Sequence, residues 1–148
     1  MAARRIRQEL KQILASEDGF GADLVEDDLF HWPGTLFGPT GTPYEGGVFF
    51  LAVHFPTTYP FDPPRVAFIT RVYHMNISPA GSICLDLLGK AWNPGLSVHK
   101  ILMAVSDLLR HPNPADPLVP ELAHMHETDR DLYNATATDW TARYAGGA

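Results

Sequence analysis

The only cysteine of the chain, Cys84, lies in Gly81-Ser82-Ile83-Cys84-Leu85-Asp86, ten residues after His74 of His74-Met75-Asn76 and ahead of Gly89-Lys90-Ala91-Trp92-Asn93-Pro94-Gly95. Little in this stretch favours a regular helix or strand, whereas a structural cysteine usually sits inside one as a small, inert hydrophobe. Reactive side chains concentrate on loops held by a rigid scaffold, so a lone loop thiol reads first as a nucleophile. Three polar elements could meet it: the His74–Asn76 segment, Asp86 and the loop around Asp116. Attack at an acyl carbon creates an oxyanion, to which the neutral amide of Asn76 can donate without competing as a base. One such donor is typically worth about 3–4 kcal/mol of transition-state stabilisation. Asp116 can accept from an incoming amine. A lysine, with a pKa of about 10.4, needs roughly 4–5 kcal/mol to present its neutral form, and a nearby carboxylate can orient that amine and take its proton. Each residue also has a bland reading. Asn76 can organise a loop, His74 can be a buried hydrogen-bonded histidine, and Asp116 before Pro117 can form a turn.

Other thiol chemistries fit less well. A Cys-His hydrolase would be a natural thought, but no protease signature surrounds Cys84. A phosphatase loop needs an arginine fork for the dianion, and Lys90 lacks one. His124-x-His126 lies far in sequence from the thiol, with no second ligand cluster, so no metal site is expected.

The elements that must position these residues follow from composition and pattern. The 148 residues, 45% hydrophobic and 19% charged, suit a single domain over 1–148 without linker or extra domain. One cysteine allows no internal disulfide, which favours a reducing compartment. No apolar run approaches the roughly 20 residues of a membrane span. No apolar signal core follows the basic start Met1-Ala2-Ala3-Arg4-Arg5. The net charge of −6 argues against nucleic acid as a partner. The expectation is a cytoplasmic or nuclear protein that binds neither nucleic acid nor membrane.

All 13 prolines fall between Pro33 and Pro120, which confines long helices to the ends and a few gaps. Ile6, Leu10, Ile13 and Leu14 give residues 3–15 one apolar helical face, with Arg4, Arg5, Arg7, Gln8 and Lys11 as an outer basic strip. Leu24-Val25, Leu29–Phe37, Gly47–Phe55 and Arg65–Thr70 read as a four-stranded antiparallel meander. Weak alternation in Val48–Phe55 predicts that both faces of that strand are covered. Tyr59-Pro60-Phe61-Asp62-Pro63-Pro64 is a rigid connector in which an aromatic before Pro60 favours a cis bond. Residues 71–96 have no sustained period and read as a long functional loop. Ser97 is expected to cap a helix to about Arg110, buried through Val98, Ile101, Leu102, Val105, Leu108 and Leu109. A short helix is expected from Pro120. A last one is expected from Thr128, with Thr128 and Asp131 as a capping box and Leu132, Ala135 and Trp140 inside.

Tyr73-His74-Met75-Asn76, Gly81–Asp86, Trp92-Asn93-Pro94, Pro43-Tyr44-Glu45-Gly46-Gly47, Tyr59–Pro64 and Pro112-Asn113-Pro114-Ala115-Asp116-Pro117-Leu118 closely resemble ubiquitin-conjugating enzymes, in the family's order from Arg5 to Trp140. The resemblance is greatest to the compact, broadly acting subgroup that works with RING- and HECT-type ligases. It implies an α+β fold: a helix, a four-stranded meander, a long active-site loop and three further helices. It implies that Cys84 accepts ubiquitin from the activating enzyme as a thioester and passes it to a lysine or a ligase cysteine. Asn76 would stabilise the oxyanion or the facing loop. Asp116 and Tyr73 would shape the lysine pocket, with His74 in the same segment and Asp86 beside the thiol. Arg4, Arg5, Phe61, Asn93 and Pro94 match the ligase-docking surface, and Leu87, Lys100 and Met103 the contact with donor ubiquitin. The implied protein is a monomer that binds no cofactor itself, ATP being consumed upstream by the activating enzyme. The alternatives are a non-catalytic module that binds ubiquitin or ligases, or conjugation of another ubiquitin-like modifier.

Four departures stand out against that resemblance. Met75 replaces the usual proline between histidine and asparagine. Gly21 or Ala22 stands where the subgroup has a serine for non-covalent ubiquitin binding, Gly89 replaces a basic residue, and Asp62 reverses a charge beside Phe61.

Overall fold

The computed structural model describes residues 1–15, 20–22 and 28–146. An N-terminal helix α1 (Ala2–Ala15) precedes strands β1 (Phe20–Ala22), β2 (His31–Phe37), β3 (Val48–His54) and β4 (Arg65–Phe68). A long irregular segment follows, broken by one 3-10 turn at Asp86–Leu88, and then helices α2 (Val98–Arg110), α3 (Pro120–Thr128) and α4 (Arg130–Tyr144). The sheet is an antiparallel meander in the order β1-β2-β3-β4. The first strand comes earlier than Leu24-Val25, which lie outside the described residues.

Period-two alternation sets the sheet's inner face. Trp32 and Leu36, Phe49, Leu51 and Val53, and Val66 and Phe68 are buried in one core with Ile6 and Ile13 of α1 and Val98, Ile101, Leu102 and Val105 of α2. The other face is open, contrary to the expectation of a strand covered on both sides: Phe50 is 52% exposed, and Phe37 equally so. Apolar residues at the outward positions of β3 (Val48, Phe50 and Ala52) mask the alternation that burial nevertheless follows.

The α4 expectation is corrected in two respects. Its N-cap is Asp129, whose carboxylate accepts from Leu132 N at 3.1 Å; Thr128 closes α3, its hydroxyl donating to the His124 carbonyl. Tyr133, Ala137 and Thr141 form the buried face, while Leu132 and Ala135 are exposed and Trp140 is half-buried. A threonine and an alanine in that stripe leave little apolar contrast for sequence periodicity to detect.

α1 is joined to the rest by a buried carboxylate that its periodicity does not reveal. Glu9, 2% exposed, accepts from Val98 N at 2.7 Å, from Arg5 Nε at 2.8 Å and from the Tyr59 hydroxyl. With Ser97 Oγ accepting from Lys100 N, two of the unpaired amides at the start of α2 gain acceptors. Arg5 is therefore turned inward, and its guanidinium also donates to the carbonyls of Pro94 and Leu96. It does not belong to the outer basic strip, whose exposed members are Arg4, Arg7, Gln8 and Lys11. The Tyr59–Pro60 bond is cis.

Glu9→Ala leaves three donors without their acceptor. It should lower stability by about 3 kcal/mol in urea unfolding, the partial exposure of Arg5 holding the figure at the low end of the range for broken buried pairs. A loss below about 1 kcal/mol would show that the carboxylate does not hold α1 to α2.

Candidate active site

Cys84 is delivered by two isolated antiparallel bridges, one to β4 and one within the loop. Ala67 bridges to Ser82 and Ile77 to Ile83, and the Cys84 N–H donates to the Asn76 carbonyl at 2.9 Å. Gly81 makes the approach possible. Its φ is +94°, and a Cβ there would stand 2.0 Å from the Phe68 carbonyl oxygen. Beyond the thiol, the Asp86 carbonyl accepts from Gly89 N and Ala91 N, and Trp92 Nε1 donates to the Pro60 carbonyl.

The thiol is half-buried, and its Sγ lies 3.4 Å from Asp116 Oδ2, to which it donates. Burial pushes the Cys84 thiol above its ordinary pKa, and the hydrogen bond to Asp116 and the charges of Asp116 and Asp86 add to the rise. The carboxylate faces the sulfur from an exposed loop.

Asn76 is fully buried, and its amide is committed to that loop. Nδ2 donates to the carbonyls of Asn113 at 2.8 Å and Asp116 at 3.2 Å, and Oδ1 accepts from Asn113 N at 2.8 Å. Of the two roles expected for Asn76, the geometry displays the loop-holding one. Asn113, quoted in the sequence only as part of a proline-rich run, is its direct partner.

His74 is equally buried. Its ring nitrogens face the Leu108 carbonyl (Nε2, 2.8 Å) and the Asn76 N–H (Nδ1, 3.0 Å). The carbonyl requires a proton on Nε2 and the N–H requires a lone pair on Nδ1, so this network holds only the neutral ring. Burial accordingly pushes the His74 pKa down to about 4. The ring is thus a bracket between α2 and the 74–76 turn. Tyr73 also points away from the thiol: its hydroxyl meets Met125 Sδ, and its ring packs on Tyr133 and Trp140.

The remaining expected residues fall on two surfaces. Arg4, Asn93 and Pro94 are exposed, Phe61 is 67% exposed, and Arg5 joins α1 to the Pro94 carbonyl. Lys100 and Met103 share the outer face of α2, and Leu87 is half-buried in the 3-10 turn after Cys84. Among the described residues, no three His, Cys, Asp or Glu side chains are arranged to hold a metal ion. None of the described helices is long and apolar enough to cross a membrane.

The chain as a whole has close counterparts. The family model for ubiquitin-conjugating enzymes matches residues 5–141. The ubiquitin conjugating enzyme E2 domain of Toxoplasma gondii superposes with a TM-score of 0.90 at 39% identity, over 96% of this chain and 97% of that one. A Plasmodium yoelii protein described as a ubiquitin conjugating enzyme superposes with a TM-score of 0.94 at 39% identity, over 99% of this chain and 97% of that one.

Two measurements test these electrostatics. Asp116→Asn removes one anion from beside the sulfur, so the pH midpoint of Cys84 alkylation by iodoacetamide should move down; an unmoved midpoint would refute the coupling. For His74, the folded pKa lies below the unfolded one, so the unfolded chain binds more protons between them. Stability should be intact above about pH 6.5 and fall by about 3 kcal/mol as pH drops to about 4. Urea unfolding of His74→Gln should lack that component of the slope, and equal slopes in both proteins would overturn the assignment.

Proposed function

The chain belongs to the ubiquitin-conjugating enzyme family, and on that premise we propose that Cys84 carries ubiquitin as a thioester and releases it to an amine held by Asp116. The contact between Cys84 Sγ and Asp116 Oδ2, 3.4 Å, carries this reading. In the first step the Cys84 thiolate attacks the ubiquitin C-terminal carbonyl carbon, already activated as a thioester on the activating enzyme. The new sulfur–carbon bond forms, the old one breaks, and the activating enzyme's cysteine leaves as a thiolate. ATP is consumed before this step, and the chain needs no cofactor of its own.

A raised thiol pKa is tolerable in this chemistry. It lowers the thiolate fraction at neutral pH, but a more basic thiolate is intrinsically more nucleophilic, and the acceptor carbonyl is pre-activated. In the second step a lysine amine attacks the Cys84 thioester, its proton passes to Asp116 or to water, and the Cys84 sulfur departs. Asp116 orients the amine and can take its proton as the new carbon–nitrogen bond forms. Asn76 acts by fixing the 113–116 loop, and His74 by fixing Asn76. Asp86 keeps negative charge beside the sulfur. Tyr73 contributes through its backbone and its aromatic packing.

Arg4, Phe61, Asn93 and Pro94 offer an exposed aromatic, a cation and turn polar groups to a RING- or HECT-type ligase, with Arg5 bracing them from beneath. Leu87, Lys100 and Met103 offer a surface to the donor ubiquitin. The protein is read as a monomeric member of the compact, broadly acting subgroup, working in the cytoplasm or nucleus.

Incubation with activating enzyme, ATP and ubiquitin should give a reductant-sensitive adduct that Cys84→Ala abolishes. Asp116→Ala should charge within about twofold of the parent yet discharge to free lysine at least about tenfold more slowly, less than the typical general-base contribution of about 10²-fold or more because water can take over part of the proton transfer. An adduct on Cys84→Ala would remove the thiol from its assigned role. No adduct on the parent would favour a non-catalytic module that binds ubiquitin or ligases.

A further inference from the structure

Met75, between the two buried polar residues of the site, is itself fully buried, so its amide cannot reach water. A buried N–H without an acceptor is strongly disfavoured. Here the acceptor comes from a distant element: Met75 N–H donates to the Tyr133 hydroxyl of α4 at 3.2 Å. On the other side of the residue, the Met75 carbonyl accepts from Leu118 N at 2.8 Å and Val119 N at 3.1 Å. Those two amides close the loop that carries Asp116.

Tyr133 is well placed to act as a fixed post. Its side chain is buried, with its ring against Tyr73 and His126. Its hydroxyl lies near that of Tyr44, whose own proton goes to the Tyr73 carbonyl. The backbone from Tyr73 to Met75 is thus gripped at one end by Tyr44 and at the other by Tyr133.

We infer that Tyr133 is a positioning residue for amine discharge: by accepting the Met75 N–H it fixes the turn whose next carbonyl anchors the Asp116 loop. Tyr133 touches neither Cys84 nor the incoming amine. Its effect runs through the 74–75 peptide plane to the Met75 carbonyl, then to Leu118 and Val119, and so to Asp116. Thioester exchange on Cys84 depends on the sulfur and on its backbone anchor at Asn76, and is expected to be insensitive to this brace.

The inference rests on the reading of Cys84 and Asp116 given above, and the experiment separates the two. Full-length parent, Tyr133→Phe and the double variant Met75→Pro/Tyr133→Phe are compared for charging, for single-turnover discharge to free lysine, and for amide hydrogen exchange at Leu118 and Val119. Tyr133→Phe should charge within about twofold of the parent, discharge roughly five- to tenfold more slowly, and exchange both amides about tenfold faster. Proline has no N–H, so the double variant removes the orphaned donor and should restore discharge and exchange to within about twofold. Unchanged discharge and exchange in Tyr133→Phe, or a double variant no better than the single, would overturn the inference. Should the parent itself fail to charge, the reading of Cys84 falls, while the exchange rates still decide whether Tyr133 holds the loop.

Discussion

The site depends on one buried asparagine that is hydrogen-bonded to both the Cys84 segment and the Asp116 loop. The Asn76 carbonyl accepts from Cys84 N, and its side-chain amide donates to Asn113 and Asp116 and accepts from Asn113. Its own N–H is taken by His74. Cys84 and Asp116 are therefore anchored, through their backbones, to the same residue. The 3.4 Å spacing between Cys84 Sγ and Asp116 Oδ2 follows from those two anchors. A buried amide satisfied on both its donors and its acceptor is rigid, because each broken bond exposes a polar atom to a dry interior.

That rigidity bears on the electrostatics. Two carboxylates near a half-buried sulfur oppose thiolate formation, which would be a poor design for an enzyme that had to activate a thiol against an unactivated amide. On the proposed function, the acceptor carbonyl of the first step is already reactive, so a raised thiol pKa is tolerable there. The same negative field would attract a protonated lysine in the second step, and the carboxylate could take its proton as the carbon–nitrogen bond forms.

Much of this was legible in the sequence, for reasons that differ by element. The cap at Ser97 and the apolar stripe of α2 are local features with strong periodicity, and both are found. Cys84 was readable as a candidate because a lone loop thiol has few structural uses, and Asp116 because it is a carboxylate in a loop that could meet the thiol, although it could equally have formed a turn. Harder to read was whatever depends on partners far apart in the chain. Arg5 looks like one more surface cation until Glu9, Pro94 and Leu96 meet it. Tyr73 and His74 adjoin Asn76 in sequence, yet their side chains turn away toward α4 and α2. The face of α4 was misread because its buried stripe of Tyr133, Ala137 and Thr141 carries little hydrophobic contrast.

The long segment after Cys84 looks structureless in sequence but is held along its length. Asp86 closes its first turn through its carbonyl, the Trp92 indole hangs on Pro60, and Arg5 seizes the carbonyls of Pro94 and Leu96 just before Ser97 begins α2. Glu9 ties Arg5 to Tyr59 and to the first amide of α2, so α1, the Pro60 connector and the start of α2 share one polar junction. The exposed Phe61, Asn93 and Pro94 are mounted directly on it.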